Sequence, residues 1–115
     1  MHELGIMTDV LDTALRVARN NGGKAVTKIT LKIGLMSGVQ AEYVQSFFEV
    51  ISKDTIAAKA KIVIENEPVT FLCRHCGEKT VYEALGPDYL CSACGSEALR
   101  LLTGRSFQIV NVGIK

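Results

Sequence analysis

Four cysteines are the residues of this 115-residue chain whose spacing most directly predicts chemistry. They form two C-x-x-C pairs, in the stretches CRHCG and CSACG, with fourteen residues between the pairs. Each pair lets a tight turn aim two sulfur atoms at one ion, and the glycine that follows supplies the backbone freedom such a turn needs. Four thiolates form a closed, structural site that suits zinc. The predicted zinc ligands are Cys73, Cys76, Cys91 and Cys94.

Other uses of the cysteines remain open at this point. Tetrahedral sulfur also suits a single iron, so a rubredoxin-like electron carrier is one alternative. A zinc ribbon that binds protein or nucleic acid is another, although a net charge of +1 disfavours nucleic acid. Disulfides are disfavoured because no export signal is visible, which predicts a reducing, cytoplasmic location. We expect His75 to be an exposed turn residue, because four cysteines already complete a tetrahedron.

The chain opens with MHELGIM, which places a histidine beside the α-amine. The amine of Met1 with the backbone nitrogen and imidazole of His2 can close a five-membered and a six-membered chelate ring around one ion. Three nitrogens in a plane suit nickel(II) or copper(II) and suit zinc poorly. A fourth donor could be the Glu3 carboxylate, another side chain or a partner protein. The alternative is that His2 is an ordinary solvated terminal residue.

Periodic patterns predict the elements that carry these groups. Apolar residues recur three and four apart from Leu4, which predicts an amphipathic helix that ends at NNGG. TKITLKIG alternates and predicts a strand with one wet face. Ser37 and Gln40 have the spacing of a capping box, which predicts the start of a second helix. KIVIENEPV predicts a strand that stops near Pro68, and FQIVNVGIK, apolar on both faces, predicts a central strand.

The order of these elements predicts an α/β (α+β) fold, a small three-stranded sheet packed with two helices. The cysteine segment interrupts it, so we expect one domain from residues 1–70 and 105–115 and an inserted zinc-ribbon-like domain over 71–104. The insert has few large apolar residues, so we expect it to require a bound metal ion for its stability. No run approaches the roughly 18 apolar residues of a membrane span. No phosphate-binding glycine loop is present, and no enzyme activity is predicted.

The whole-chain pattern resembles a known family. MHELGIM at the start, LKIGLMSGV in the middle, two C-x-x-C pairs ending in CSACGS, and GRSFQIVNV near the end are similar, in order and over essentially the full length, to the HypA/HybF nickel metallochaperones. The resemblance implies a cytoplasmic accessory protein that carries nickel(II) as cargo to the large subunit of nickel–iron hydrogenase. In some organisms the target implied is urease, with its accessory proteins.

The resemblance also implies a role for each candidate residue. His2 is the expected essential nickel ligand, Met1 and Glu3 neighbour or complete that site, and the four cysteines hold structural zinc(II). The domain of residues 1–70 and 105–115 becomes the nickel domain. A GTP-hydrolysing protein of the HypB type is the expected partner, with no membrane or nucleic acid, and the chain is expected to be a monomer or a weak homodimer.

Overall fold

The computed structural model describes the backbone of residues 2–83 and 89–115 and the side chains of residues 5–83 and 89–115. The helices are His2–Asn20 (α1) and Ala41–Ile51 (α2). The strands are Val26–Gly34 (β1), Lys61–Glu67 (β2), Val69–Cys73 (β3), Lys79–Tyr82 (β4), Leu99–Thr103 (β5) and Phe107–Ile114 (β6). They form two three-stranded sheets, ordered β2-β1-β6 and β4-β3-β5. Within the described ranges, no helix is long and apolar enough to cross a membrane.

Helix α1 belongs to the first of two compact units, which runs to Lys32 and adds Val39–Glu65 and Gln108–Lys115. Most of its predicted apolar stripe is buried, namely Met7, Val10, Leu11, Ala14 and Ala18. Val17 is half-buried, and the side chain of Leu4 lies outside the described residues. The helix ends as NNGG predicts, because Gly22 adopts a left-handed φ of 69°. The N–H of Gly23 then donates to the carbonyl of Ala18 at 2.7 Å, which satisfies a carbonyl of the last turn.

The first sheet and its two helices confirm the predicted α/β architecture. Strand β1 lies in the middle and buries Ile29, Leu31 and Ile33, the three residues of its predicted apolar face. In helix α2, Val44 and Phe48 are fully buried. Burial of large apolar side chains supplies most of the free energy that holds such a unit together.

Helix α2 begins later than the capping-box pattern predicts. The helix starts at Ala41, and Gln40 is its N-cap residue, with no hydrogen bond from its own side chain to the helix. Between Ser37 and the helix, Gly38 takes a left-handed φ of 83°. The chain therefore turns at the positions where the pattern predicted the first helical residues. The prediction of a start at Ser37 was wrong, because the spacing of two polar residues does not indicate such a turn.

Strand β6 is at the edge of its sheet, whereas its composition predicted a central position. The central strand is β1, where even the outward-facing Thr30 is only 7% exposed. In β6, Val110 is 50% exposed. The prediction was wrong because the apolar pattern reports only on the side chains of a strand. Whether a strand is central or at an edge depends on whether its backbone is hydrogen-bonded on both sides or on one.

The second compact unit comprises Ile33–Gly38 and Asn66–Phe107. Strand β3 pairs in antiparallel fashion with β4 and with β5. Its alternate residues Val69, Phe71 and Cys73 are buried. This sheet was not predicted, although the alternation in VTFLC is a signal that could have found it. The boundaries 71–104 for an inserted domain stay a prediction, since compactness does not test whether a segment folds alone.

Glu67 fixes the backbone of the second unit. Its side chain is buried, and Oε1 accepts hydrogen bonds from the N–H groups of Gly104, at 2.7 Å, and Ser106, at 3.2 Å. Its carbonyl accepts a third from the N–H of Leu35 at 3.2 Å. A buried carboxylate is tolerated only when it is well hydrogen-bonded. Glu67 therefore holds three separate stretches of chain in register.

Two glycines allow these stretches to approach closely. A Cβ atom built on Gly34 would lie 2.2 Å from the carbonyl oxygen of Gly104, which is well inside van der Waals contact. The obstacle is backbone, so no side-chain rotation can relieve it. Gly104 itself has a φ of 126°, a conformation that disfavours side chains.

We predict that Gly34→Ala lowers the free energy of unfolding by about 1–3 kcal/mol, the usual cost of overpacking a filled site. Urea unfolding of the metal-loaded protein, followed by circular dichroism, measures this change. The control is Gly5→Ala, because among the described residues no atom lies within 4 Å of that added Cβ. It should leave stability unchanged or raise it by up to about 1 kcal/mol. Equal midpoints for Gly34→Ala and the parent would contradict the predicted clash.

Candidate metal centre

The second unit brings all four cysteines together at one point. Their sulfur atoms lie within 4.8 Å of one another, which makes a four-cysteine cluster of Cys73, Cys76, Cys91 and Cys94. The shortest separations join the two pairs, with Sγ of Cys73 3.7 Å from that of Cys94 and Sγ of Cys76 3.5 Å from that of Cys91. These distances far exceed the roughly 2.05 Å of a disulfide, so the thiols are free.

Both C-x-x-C turns have the same backbone construction. In the first, the N–H of Gly77 donates to the carbonyl of Cys73 at 2.9 Å, and in the second the N–H of Gly95 donates to that of Cys91 at 2.8 Å. The two glycines have left-handed φ values of 80° and 75°. These are the glycines that the sequence pattern singled out. Equal geometry in the two turns presents two sulfurs from each side of the cluster.

The strands of the second sheet support the first turn. Cys73 is the last residue of β3, and its N–H donates to the carbonyl of Glu78 at 2.8 Å. The N–H of Arg74 donates to the carbonyl of Ala98 at 2.7 Å. The turn is therefore tied on one side to the approach to β4 and on the other to the approach to β5, which places its sulfurs toward the second C-x-x-C pair.

Backbone amides make one thiol in each pair more acidic. The N–H of Cys76 lies 3.4 Å from Sγ of Cys73 and, with smaller contributions from its neighbours, holds the pKa of Cys73 at about 6. The N–H of Cys94 lowers the pKa of Cys91 in the same way. A hydrogen bond to sulfur favours the thiolate because it stabilises the charged form. Each turn thus contains one sulfur whose pKa is lowered by a backbone N–H.

The second thiol of each pair is less acidic. The N–H of Glu78 acts to lower the pKa of Cys76, but the adjacent Cys91 thiol and burial outweigh it and raise that pKa to about 12. The N–H of Ser96 acts to lower the pKa of Cys94, whereas burial and the Cys73 thiol raise it, and the pKa of Cys94 is raised as a result. Close packing of thiols disfavours a full set of four negative charges. A cation at the centre would reverse this preference, because metal binding displaces thiol protons.

The donor set fits a tetrahedral ion. Metal–sulfur bonds of about 2.3 Å in a regular tetrahedron require sulfur–sulfur edges of roughly 3.8 Å. The two shortest edges, 3.5 and 3.7 Å, are close to this value. Two of the cysteines, Cys73 and Cys91, are buried and the other two are exposed. Four protein ligands leave no open position, so this arrangement binds an ion without presenting it to a substrate.

Aromatic side chains pack beside the cluster's supporting sheet. Phe71, Tyr82 and Tyr89 have ring centroids 5.0–6.1 Å apart. The hydroxyl of Tyr82 donates to the carbonyl of Leu90, which directly precedes the second cysteine pair. This small apolar group was missed in the sequence, because its members are spread along the chain. It adds apolar contacts to a unit that is too small to have much other core.

The residues between the cysteines face solvent. Arg74 and His75 in the first turn and Ser92 and Ala93 in the second are all exposed. The exposure of His75 confirms the expectation that it is a surface residue of the turn. Its place in a turn completed by four sulfurs leaves it no position in the tetrahedron.

The candidate nickel ligands lie at the other end of the sequence. Met1 and the side chains of His2 and Glu3 lie outside the described residues. The backbone of His2 is the first residue of α1. The first four N–H groups of a helix have no acceptor within the helix. The backbone N–H of His2 therefore donates no hydrogen bond within the helix.

Comparison with known proteins shows the family. The family model for hydrogenase/urease nickel incorporation, metallochaperone, hypA matches residues 1–114. The chain belongs to the HypA family. The chain is 36% identical over 114 residues to a hydrogenase maturation factor HypA of a Synechococcus species, covering 99% of both chains. It is 33% identical over 105 residues to the HypA of Aquifex aeolicus, covering 91% of this chain and 90% of that one.

Two solved HypA structures share the fold. A nickel metallochaperone HypA from Helicobacter pylori superposes with a TM-score of 0.62 at 19% identity, covering 97% of this chain and 96% of the other. A second HypA solution structure gives a TM-score of 0.71 at 18% identity and covers 100% and 97%. The resemblance found in the sequence is thereby confirmed. The HypA family consists of metallochaperones and maturation factors, not catalytic enzymes.

We predict that Cys94→Ser costs the second unit both its ion and its order, since metal binding supplies folding free energy. The matched control is Ala93→Ser, which introduces the same residue one position earlier at another exposed site of the turn. After dialysis against a mild chelator, elemental analysis should find one metal per chain in the parent and the control. Amide NMR signals from β3, β4 and β5 should disperse only in those two proteins. A Cys94→Ser chain that keeps metal and dispersion would refute the proposed ligand set.

Proposed function

We propose that the chain is a nickel carrier that binds nickel(II) at its N-terminus and delivers it during the maturation of nickel–iron hydrogenase. The family assignment supports this proposal, because its description is nickel incorporation into hydrogenase and urease. Full-length similarity to hydrogenase maturation factors favours hydrogenase as the target, with urease as the second possibility. We further propose that it works in the cytoplasm with a GTPase of the HypB type and the hydrogenase large subunit.

The observation that carries the proposal is the division of donor chemistry along the chain. The four-cysteine cluster has four soft sulfur donors and no vacant position, which suits an ion that stays. Nickel(II) prefers square-planar nitrogen sites, and the amine of Met1 with the amide and imidazole of His2 would supply three. A site with one corner left for Glu3 or for a partner is suited to release. Cargo and structural ion therefore use different donors.

The position of α1 supports this arrangement. Coordination by the backbone nitrogen of His2 requires loss of its proton, and a nitrogen engaged in a helical hydrogen bond would resist that loss. At the first residue of α1 the nitrogen is outside the helical ladder. Metal at this site would therefore compete with no intrahelical bond of the backbone.

We propose zinc as the resident ion of the four-cysteine cluster. A closed site of four thiolates is typical of structural zinc, which has no redox chemistry to expose. The alternative is iron, which takes the same tetrahedral sulfur donors and would give strong visible absorption. Purified protein that is colourless and carries one zinc per chain supports the zinc assignment, and coloured protein that carries iron contradicts it.

Nickel titration of the zinc-loaded chain tests the cargo site. We expect His2→Ala to remove tight nickel binding, because it deletes the imidazole, while zinc content and fold stay unchanged. His75→Ala is the matched control, since His75 is the only other histidine in the sequence. Calorimetry and the absorbance of planar nickel report the affinity and the geometry. Equal nickel affinity in His2→Ala and the parent would contradict the assignment of the ligand.

A one-residue extension tests the α-amine separately. One glycine added before Met1 moves the amine away from His2 and breaks the five-membered chelate ring, but keeps every side chain. We expect the planar nickel spectrum to disappear and affinity to fall. If the extended chain binds as the parent does, the amine is not a ligand.

A maturation assay links binding to delivery. In cells that lack the native gene, the parent and His75→Ala should restore hydrogenase activity, whereas His2→Ala should not. Restored activity with His2→Ala would show that delivery does not pass through this residue.

A further inference from the structure

The first compact unit contains a cavity whose residues take no part in either metal assignment. Its volume is about 360 Å³. Three parts of the chain line it, namely residues 24–27 at the start of β1, four residues of the segment 55–59 between α2 and β2, and Lys115 after β6. None of these residues is a candidate ligand of nickel or zinc. The chemistry of the cavity is therefore separate from that of both metal sites.

Main-chain hydrogen bonds join the three parts of the cavity wall. The N–H of Val26 donates to the carbonyl of Ile56 at 3.0 Å, and the N–H of Lys115 donates to the carbonyl of Ala25 at 2.9 Å. The hydroxyl of Thr55 donates to a carbonyl three residues back and accepts from an N–H two residues on, at 2.6 and 3.1 Å. The fold thus forms the cavity without a ligand, as is usual for small-molecule sites.

Most of the wall is apolar. Val26 is buried, whereas Ile56 is 44% exposed and Ala58 is also exposed. Apolar surface left in water costs free energy that a molecule covering it can recover. Cavities of roughly 300–1,000 Å³ with an apolar wall and a few polar groups are the usual form of a small-molecule site. The wall therefore favours a ligand with an apolar body.

The polar groups of the cavity are mainly cationic. Lys24, Lys59 and Lys115 line it, and all three are exposed. Among the described residues, no acidic side chain lines the cavity, and none forms an ion pair with these lysines. Counting one main-chain carboxylate at Lys115 still leaves two positive charges in excess of the three. Like charges around one cavity repel each other, and a bound anion relieves that repulsion.

We propose that this cavity binds a small organic anion with an apolar body and two negative charges, such as an aromatic dicarboxylate. The body would cover Ile56, and the two charges would lie against the lysine ammonium groups. Inorganic phosphate would match the charges and leave Ile56 in water, and an uncharged aromatic molecule would do the reverse. A metal ion is disfavoured, because the ammonium groups repel it. The proposal is therefore independent of the nickel function.

Amide NMR of the zinc-loaded full chain, titrated with benzene-1,3-dicarboxylate, tests the proposal. We expect saturable shifts confined to residues 24–27, 55–59 and 115, with a dissociation constant of about 1 mM or below. Inorganic phosphate and benzyl alcohol each carry half of the proposed chemistry and should bind at least about tenfold more weakly. Equal affinity for either of them overturns the proposal. So does the lack of a saturable shift at these residues with dicarboxylate up to about 10 mM.

Substitutions separate the contributions of charge and apolar surface. Lys59→Gln should raise the dissociation constant of the dicarboxylate about fivefold, the upper range for one partly exposed ion pair. Ile56→Ala should raise it about threefold, because less apolar surface is covered. The matched control is Lys61→Gln, which removes the same charge from an exposed lysine of β2 that is not among the cavity residues and should leave binding unchanged.

Equal losses in Lys59→Gln and Lys61→Gln would show a general attraction of anions to the chain, which contradicts a defined site. All three variants should keep the nickel affinity and the zinc content of the parent. A failure of this cavity to bind the dicarboxylate is therefore distinguishable from a failure of nickel binding at the N-terminus.

Discussion

Convergence of four thiols on one point is the constraint on which the second unit depends. Sulfur atoms within 4.8 Å of one another carry mutually unfavourable charge when ionised, and burial of Cys73 and Cys91 adds to that cost. Backbone amides compensate in part, through the N–H groups aimed at sulfur. The remaining imbalance favours a bound cation. The sheet, the turns and the aromatic side chains hold the four thiols close together. A bound cation would therefore lower the repulsion between the thiolates.

The first unit is organised by a different force. Its centre is apolar, with Met7, Ile29, Leu31 and Phe48 packed between helices and sheet. Such a core folds without metal chemistry, because burial of hydrocarbon is non-directional and tolerant of sequence change. The two units therefore differ in what stabilises them, apolar burial in the first and the four-cysteine cluster in the second.

Local patterns predicted the parts of the fold that local physics decides. The buried face of α1 and that of β1 were predicted correctly, since each depends on residues close in sequence. The four cysteines converge as their two C-x-x-C pairs indicate, because sulfur chemistry links pairs that are distant in sequence. The position of β6 and the start of α2 were not, because backbone partners and the turn at Gly38 decide them. Glu67 was missed altogether. Its hydrogen bonds to Gly104 and Ser106 span more than thirty residues, and no pattern around an isolated glutamate indicates them.

The metal centre is held in place by main-chain groups and by two glycines, and the residues between its cysteines are exposed. Evolution can therefore alter those intervening positions without disturbing ion coordination. Arg74, His75 and Ala93 can differ among relatives in charge and size, whereas Ser92 is joined to Thr80 by a hydrogen bond of 3.0 Å between their hydroxyl groups. The geometry of the four sulfurs is thus separable from the chemistry of the surface around them, which can change without altering the distances between the sulfurs.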